Sequence, residues 1–152
     1  SLGNAALGTA AAGGRPSFRD EDWHGTYQLR PLPVWDCARQ FSSGMSMETG
    51  QLQCVSFHAS KILGDTQGGA ILHDNPEADE WLRRARFDGR REGVESKEDS
   101  FPHIGWHAYM SPDVAARLLQ KLSVLPRHNE PLPNDDYPEL DKMEIFKWGG
   151  PQ

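Results

Sequence analysis

The sequence predicts an α/β fold, and three observations favour that class. Three short apolar segments, residues 33–36, 52–57 and 70–73, have the length and composition of buried strands. Two segments with helical periodicity follow, beginning near Pro76 and Pro112. Because the strands come first and do not alternate regularly with the helices, the pattern indicates part of a larger sheet instead of a complete doubly wound domain.

The strand candidates are bounded by turn residues. The first ends in Asp36, and residues 37–41 after it are expected to form a helical turn. The second carries its apolar bulk in Cys54, Val55 and Phe57, and the third follows the pair Gly68-Gly69. Glycine-bounded loops separate the segments, so each strand is predicted to be short.

Both helices begin with the same signal, a capping residue followed by proline. Asn75 precedes Pro76, and Ser111 precedes Pro112, which suits proline at the first helical position. Acids in the first turns and arginines in the last turn of the first helix complement its dipole, and Gly89 is expected to end it. Apolar side chains at helical spacing predict one buried stripe on each helix: Ala78, Trp81, Leu82 and Ala85 on the first; Val114, Leu118, Leu119 and Leu122 on the second.

Composition narrows the possible functions. A chain of 152 residues has one-domain length, and its 15 glycines and 11 prolines indicate many loops. The net charge of −6 argues against a general nucleic-acid surface and against binding to anionic membranes, and no apolar run approaches membrane-spanning length. The two cysteines, Cys37 and Cys54, imply no disulfide framework, so we expect a cytoplasmic protein.

The organisation of the chain is predicted in three parts. Residues 1–30 show little periodicity and are expected to be irregular. Residues 31–125 hold the strands and helices. Residues 126–152 are rich in proline and acids, and are expected to lie extended on the surface.

One loop concentrates reactive side chains. The second strand candidate leads directly into Ser56, His58 and Lys61. A partly desolvated lysine can lose its proton and attack a carbonyl, as pyridoxal 5'-phosphate requires. That cofactor also needs a carboxylate near its pyridine nitrogen, and Asp36 ends the preceding strand. Because sites in parallel sheets gather at the carboxyl ends of strands, Asp36 and Lys61 are predicted to converge.

Several motifs in this order resemble one enzyme family. An acid with small residues (Asp36-Cys37-Ala38) precedes Ser56-Phe57-His58, Lys61 and Gly68-Gly69. Two later stretches complete the set: Arg84-Ala85-Arg86-Phe87-Asp88-Gly89 and Gly105-Trp106-His107-Ala108-Tyr109-Met110-Ser111. Over residues 31–125 the chain resembles a short or partial member of the DegT family of sugar aminotransferases. The implied fold is a three-layer α/β sheet like part of the large domain of fold-type I pyridoxal-phosphate enzymes such as aspartate aminotransferase.

The resemblance also implies roles for individual residues. Lys61 would form the Schiff base with the cofactor and later move the substrate proton. Asp36 would pair with the pyridinium nitrogen, Ser56 would bind the phosphate and His58 would line the site. Arg39 stands beside the cofactor where the family usually has Gln or His, and His107 stands where an Asn of the partner chain usually approaches the phosphate.

The expected partners follow from the same resemblance. They are an amino-acid donor, a nucleotide-linked ketosugar as acceptor, and a second copy of the chain in a homodimer. Trp106 and Tyr109 are candidate dimer contacts, since aromatic residues are enriched at interfaces.

Three alternatives remain open. His103 and His107, four residues apart, with Cys37, Cys54, His58 and His73 elsewhere, offer ligands for a structural metal, although no Cys-x-x-Cys pair supports one. A Ser-His-acid triad on Ser56 lacks the nucleophile-elbow motif. The main alternative is a non-catalytic binding or structural module that keeps an aminotransferase-like sheet, because the family's N-terminal phosphate-binding turn and C-terminal small domain are not recognised in this sequence.

Overall fold

The computed structural model describes residues 2–45, 48–134 and 138–147. The strands are β1 (Tyr27–Gln28), β2 (Val34–Asp36), β3 (Leu52–Ser56) and β4 (Gly69–Leu72). The helices are α1 (Leu2–Ala11), α2 (Pro76–Ala85) and α3 (Pro112–Val124), and short 3-10 turns lie at Ser96–Glu98, Leu140–Lys142 and Glu144–Phe146. The predicted α/β class is confirmed as a small fold of helices and one mixed sheet.

The four strands form one sheet in the order β1-β2-β3-β4. Only the central pair, β2 and β3, is parallel; β1 and β4 run antiparallel to their neighbours. The register places Asp36 beside Cys54 and Ser56 beside Gly69. The parallel pair is therefore the part of the sheet whose carboxyl ends can form a common site.

The core lies on one face of this sheet. Along β3, Gln53 and Val55 are buried, whereas Leu52, Cys54 and Ser56 are half-buried, as expected when successive side chains point to opposite faces. The buried cluster joins the sheet to α3 and consists of Cys37, Val55, Phe57, Leu63, Val114 and Leu118. Full burial of an aliphatic side chain stabilises the fold by about 1.5–3 kcal/mol, so Val114 and Leu118 are the main anchors of α3.

Helix α2 begins as predicted. The side chain of Asn75 accepts hydrogen bonds from the backbone N–H groups of Glu77 and Ala78, at 2.9 and 3.1 Å, and Pro76 is the first helical residue. The helix ends at Ala85, four residues before Gly89, because the backbone turns through the Arg86 C-cap first. Its predicted buried stripe is only partly correct, since Ala85 is buried whereas Trp81 is exposed and stacks on His103.

Helix α3 also begins at the predicted proline, although the Ser111 side chain makes no capping bond. Val114 and Leu118 are buried, but Leu119 is 67% exposed and Leu122 is 44% exposed. The predicted four-residue apolar stripe is therefore wrong for its second half. The buried face of α3 is narrower than the sequence pattern because the sheet it covers has only short strands.

The N-terminal region differs from the prediction of irregular structure. Residues Leu2–Ala11 form α1, and Tyr27–Gln28 add the edge strand β1. Alanine is the strongest helix former, and four alanines in the ten residues of α1 account for a helix that has no marked apolar stripe. Because our prediction depended on amphipathic periodicity, it missed a helix of this composition.

The segment after α3 lies extended against the loop that follows β2. The backbone N–H of Leu132 donates to the Arg39 carbonyl at 2.9 Å, and that of Ser43 donates to the Arg127 carbonyl at 2.7 Å. Asn129 and Ser42 exchange hydrogen bonds of 2.9 and 3.1 Å. Residues 126–134 form no helix or strand, and the extended tail over residues 126–152 stays a prediction. The 3-10 turns at Leu140–Lys142 and Glu144–Phe146 depart from it, and residues 135–137 and 148–152 lie outside the described residues.

Within the described ranges, no helix combines the length and the apolar character that crossing a membrane requires.

Candidate active site

Asp36 and Ser56 lie at the carboxyl ends of the two parallel strands. Asp36 is in register with Cys54, and Ser56 lies two residues further along β3, about 7 Å away in an extended chain. Because residues two apart on a strand share a face, Asp36, Cys54 and Ser56 all point away from the face that holds Val55. The structure thus brings two of the predicted site residues to one edge and one face of the sheet.

Two hydrogen bonds orient the carboxylate of Asp36. The hydroxyl of Tyr27, on β1, donates to its Oδ2 at 2.7 Å, and the backbone N–H of Ala38 donates to its Oδ1 at 2.9 Å. The ring of Trp23 packs on Tyr27 with a centroid distance of 4.9 Å. The edge strand β1 therefore serves the candidate site by supplying a donor to this carboxylate.

Lys61 lies in a short closed loop, residues 57–65, which we call the Lys61 loop. The backbone N–H of Asp65 donates to the Phe57 carbonyl at 2.8 Å and closes the base of the loop. The N–H of Lys61 donates to the His58 carbonyl at 2.8 Å, which forms the turn at its tip. Lys61 is half-buried, and within the described part of the chain its side chain has no hydrogen-bonding or ionic partner.

A glycine makes this tight loop possible. A Cβ atom on Gly64 would lie 2.7 Å from the carbonyl oxygen of Ala59 and 2.8 Å from that of Lys61. Those distances are shorter than any van der Waals contact, so a larger residue would force the loop open. Leu63, next to this glycine, is buried in the core and holds the loop from the inside.

The C-terminal end of the Lys61 loop is tied to α3 by ion pairs. The buried carboxylate of Asp65 accepts hydrogen bonds from Nε of Arg117 at 3.2 Å and from its Nη2 at 3.0 Å. Nζ of Lys121 donates to the same carboxylate at 3.0 Å. We call this group, Asp65 with Arg117 and Lys121, the Asp65 clamp.

The hydrogen bonds of the Asp65 clamp shift the pKa values of Asp65 and Arg117. Hydrogen bonds from Arg117, then from the Thr66 backbone and Lys121, hold the pKa of the Asp65 carboxyl well below its usual range. In return, hydrogen bonding to Asp65 and Asp113 raises the pKa of the Arg117 guanidinium. Asp65 and Arg117 are therefore both ionised at neutral pH.

The other predicted residues near the loop occupy different settings. His58 is exposed, and its Nδ1 lies 3.0 Å from the Ser60 hydroxyl, so it is neither packed in the core nor bonded to Ser56 through its ring. The Ser56 hydroxyl instead accepts the backbone N–H of His58 at 3.3 Å. This arrangement gives no support to a Ser-His catalytic pair at Ser56.

Arg39 is directed towards the C-terminal segment. It is 7% exposed, and its guanidinium donates to the carbonyl of Pro133. Its backbone carbonyl accepts from Leu132 in the same stretch. These contacts give Arg39 a structural role in holding the tail, and its predicted place beside a cofactor stays a prediction.

His107 lies in a second, exposed region. Its Nδ1 is 3.2 Å from Oδ2 of Asp88, and its ring packs edge-on against Tyr109 at 4.5 Å. Hydrogen bonds join the end of α2 to this stretch: Trp106 N–H to the Ala85 carbonyl at 2.6 Å, and Asp88 N–H to the Trp106 carbonyl at 3.0 Å. The structure therefore joins the two later motifs to each other, and the approach of His107 to a partner's phosphate stays a prediction.

Both cysteines are free thiols. Burial, assisted by the nearby Asp36 carboxylate and Cys54, raises the pKa of the Cys37 thiol to about 12. Burial likewise raises the pKa of Cys54. Neither thiol is a thiolate at neutral pH, so neither can act as the nucleophile of this site. In the three described ranges, no group of three or more His, Cys, Asp or Glu side chains is placed to hold a metal ion.

Sequence reasoning missed two parts of this site. The Tyr27 contact was hidden because it comes from an edge strand of two residues in a segment without periodicity. The Asp65 clamp did leave a signal, since Asp113, Arg117 and Lys121 are spaced four apart and so share one face of α3. A charged stripe of that kind beside a buried face indicates a partner acid elsewhere in the chain.

Comparison with known protein families gives a match over most of the chain. The model of the DegT/DnrJ/EryC1/StrS aminotransferase family matches residues 34–131, which is more than half of the 152-residue chain and runs from β2 through α3 into the extended segment. No curated protein and no solved structure matches the chain. The matched range contains Asp36, Ser56, the Lys61 loop and the Asp65 clamp. The chain therefore belongs to the DegT/DnrJ/EryC1/StrS aminotransferase family.

Proposed function

We propose that this chain provides the cofactor-binding core of a pyridoxal-phosphate aminotransferase, with Lys61 as the cofactor lysine and a nucleotide-linked ketosugar as the amino acceptor. The observation that carries the proposal is the edge formed by β2 and β3. An oriented carboxylate, a hydroxyl and a lysine loop follow the ends of two adjacent parallel strands, within the range that the aminotransferase family matches.

The residues at this edge fit the chemical needs of pyridoxal phosphate. Asp36 has both carboxylate oxygens oriented by donors on the protein, which suits a carboxylate that would pair with a pyridinium N–H. The Ser56 hydroxyl and the exposed loop backbone near it are suitable donors for a phosphate. Lys61 is half-buried and has no competing partner among the described residues. When bound, the cofactor supplies an electron sink for reactions at an amino-acid α-carbon.

Each residue then has a defined task. Lys61 would provide the amine that holds the cofactor and would afterwards carry a proton between substrate atoms. Asp36 would accept a hydrogen bond from the ring nitrogen of the cofactor, and Tyr27 holds the carboxylate in place through the 2.7 Å hydrogen bond. His58, exposed at the entrance of the loop, would line the site.

The proposal extends to the fold and assembly. We propose that the mixed sheet belongs to a three-layer large domain of fold-type I, within the predicted core of residues 31–125. We also propose a homodimer in which His107 of each copy approaches the partner's phosphate site. The exposed side chains of Ile104 and Trp106, 82% and 61% accessible, support such a contact. The two free thiols support the proposed cytoplasmic location.

Absorption spectroscopy with site mapping tests the cofactor proposal. We expect the purified protein to acquire a visible band when pyridoxal phosphate is added, and borohydride reduction to fix the cofactor on Lys61. Lys61→Ala should lose the band, whereas Lys97→Ala, which removes an exposed lysine that pairs with Glu95, should keep it. A label spread over the exposed lysines, with none favoured, would reject the assignment.

A donor panel then separates an enzyme from a binding module. Amino transfer is supported if glutamate converts the bound cofactor to its amine form and a nucleotide-linked ketosugar then converts the cofactor back to its aldehyde form. Protein that holds the cofactor on Lys61 but never converts it with any amino donor would favour the non-catalytic module.

A further inference from the structure

We propose that Asp65, Arg117 and Lys121 are positioning residues for Lys61: the Asp65 clamp fixes the Lys61 loop on α3 and thereby sets where the lysine amine stands at the ends of β2 and β3. The inference depends on the proposed role of Lys61 and adds three residues to it. Among the described residues, the three bond to one another, to the end of the loop and, through Arg117, to Asp113, so they act on the site edge through the loop.

The Lys61 loop is fixed at both of its ends. Its N-terminal end is fixed by the buried Phe57, which continues from β3. Its far end is fixed by Leu63 in the core and by Asp65, which closes the loop through the Phe57 carbonyl. Between these anchors, residues 58–60 are exposed. The position of Lys61 therefore depends on how firmly the far end is held.

Several hydrogen bonds converge on the single carboxylate of Asp65. Asp65 is 8% exposed and accepts from Nε and Nη2 of Arg117, from Nζ of Lys121 and from the Thr66 backbone N–H at 2.8 Å. Charge-assisted, bidentate pairs of this kind fix geometry more strictly than single neutral hydrogen bonds. A buried carboxylate without these partners would be costly, so the loop and the helix are coupled.

The clamp holds the loop backbone as well as the Asp65 side chain. Nζ of Lys121 also donates to the carbonyl of Gly64, the residue where a Cβ atom would lie within 3 Å of three loop carbonyl oxygens. One cation of α3 thus contacts two successive loop residues. A shift of α3 along its axis would be transmitted directly to the turn that carries Lys61.

The chain offers a matched control. Arg117 also pairs with Asp113 at 3.0 Å, four residues earlier on α3. Asp113 has the same charge and the same partner as Asp65, but it is exposed and lies outside the loop. Asp113→Asn therefore removes an acid from Arg117 without altering the attachment of the loop, whereas Asp65→Asn removes that attachment.

Hydrogen exchange on the cofactor-free protein is the primary test. We expect Asp65→Asn to speed amide exchange across residues 58–64 about tenfold or more, because those amides would open locally, while α2 keeps its wild-type protection. Asp113→Asn should leave the loop unchanged. Arg117→Gln keeps the Lys121 bond, so it should give an intermediate effect and serves if Asp65→Asn does not fold. Loop exchange at the wild-type rate in both Asp65→Asn and Arg117→Gln would overturn the proposal.

Cofactor binding supplies the second readout. With pyridoxal phosphate as the probe, Asp65→Asn should raise the apparent Kd about tenfold or more, Asp65→Glu should restore part of the affinity, and the reduced adduct should still map to Lys61. An unchanged Kd in Asp65→Asn would contradict a positioning role. If the wild-type protein gives no Lys61-selective adduct, the proposed function fails, and the exchange experiment still decides whether the clamp holds the loop.

Discussion

Two irregular segments of the molecule are held in place in opposite ways. One is the Lys61 loop, and the other is residues 101–110, which we call the aromatic segment. The Lys61 loop is anchored by buried side chains and by the Asp65 clamp. The aromatic segment is held by backbone hydrogen bonds to the end of α2, and its large side chains Ile104, Trp106 and Tyr109 remain exposed.

The difference indicates a division of roles. A reactive lysine has to stand in one place, and side-chain anchors with strict geometry provide that precision. A surface that meets another molecule has to present apolar area instead, and backbone bonding leaves side chains free to do so. The comparison therefore predicts that side-chain changes under the Lys61 loop alter stability and cofactor binding within one copy of the chain. Changes to the exposed side chains of the aromatic segment should act through assembly, whereas its backbone crossing with Gly89 should matter for stability.

The largest stability effect is expected at the helix beneath the Lys61 loop. Leu118→Ala removes a side chain that is 5% exposed in the core cluster and should lower the free energy of unfolding by about 2–5 kcal/mol. Leu119→Ala, the neighbouring residue on the exposed face, should change it by less than about 0.5 kcal/mol. Urea unfolding of both variants checks this. Equal losses in the two variants would mean that α3 packs on the sheet differently.

The aromatic segment should be most sensitive at its backbone crossing. A Cβ atom on Gly105 would lie 1.9 Å from the backbone nitrogen of Gly89, so Gly105→Ala must push the segment away from α2. We expect Gly105→Ala to lower the free energy of unfolding by about 2 kcal/mol or more. Gly93→Ala is the control, because Gly93 has a positive φ but open space around it. A loss in Gly105→Ala no greater than in Gly93→Ala would contradict the crossing.

Acid should weaken the Lys61 loop selectively. Because the folded-state pKa of Asp65 lies below its unfolded value of about 3.9, its contribution to stability is complete above that value and is lost as the pH falls through the folded pKa. The stability of Asp65→Asn should therefore fall less steeply with decreasing pH than that of the wild type. Glu21, Asp79, Asp99 and Asp113, whose pKa values are also lowered, would account for the slope that remains. Identical slopes below pH 4 would show that Asp65 is not clamped in solution.

The smallest effect is expected at His107. If the aromatic segment lies at a dimer contact, His107→Ala should weaken cofactor binding about threefold to tenfold without changing monomer stability, since its ring is exposed and bonds only to Asp88 and Tyr109 among the described residues. Light scattering with cofactor titration measures both quantities. A monomer at all concentrations, with unchanged affinity in the variant, would remove the aromatic segment from the site.

The comparison also explains which features were predictable from the sequence. Strands β2 to β4 and the start of both α2 and α3 followed from local signals, namely apolar runs and the Asn75-Pro76 and Ser111-Pro112 pairs. Tyr27 and Asp65 did not, because their roles depend on partners 9 and 52 residues away in the chain. The exposure of Leu119 and Trp81 depends on how far the sheet extends, which periodicity alone does not encode.

The most direct test of the central claim is the chemical state of Lys61 in the presence of pyridoxal phosphate. Wild-type protein is reduced with borohydride, digested and mapped by mass spectrometry, alongside Asp65→Asn and Asp113→Asn. The account predicts one dominant adduct on Lys61 in all three proteins, formed at lower cofactor concentration in the wild type and Asp113→Asn than in Asp65→Asn. An adduct distributed over Lys97, Lys142 and Lys147 as much as over Lys61 would contradict it.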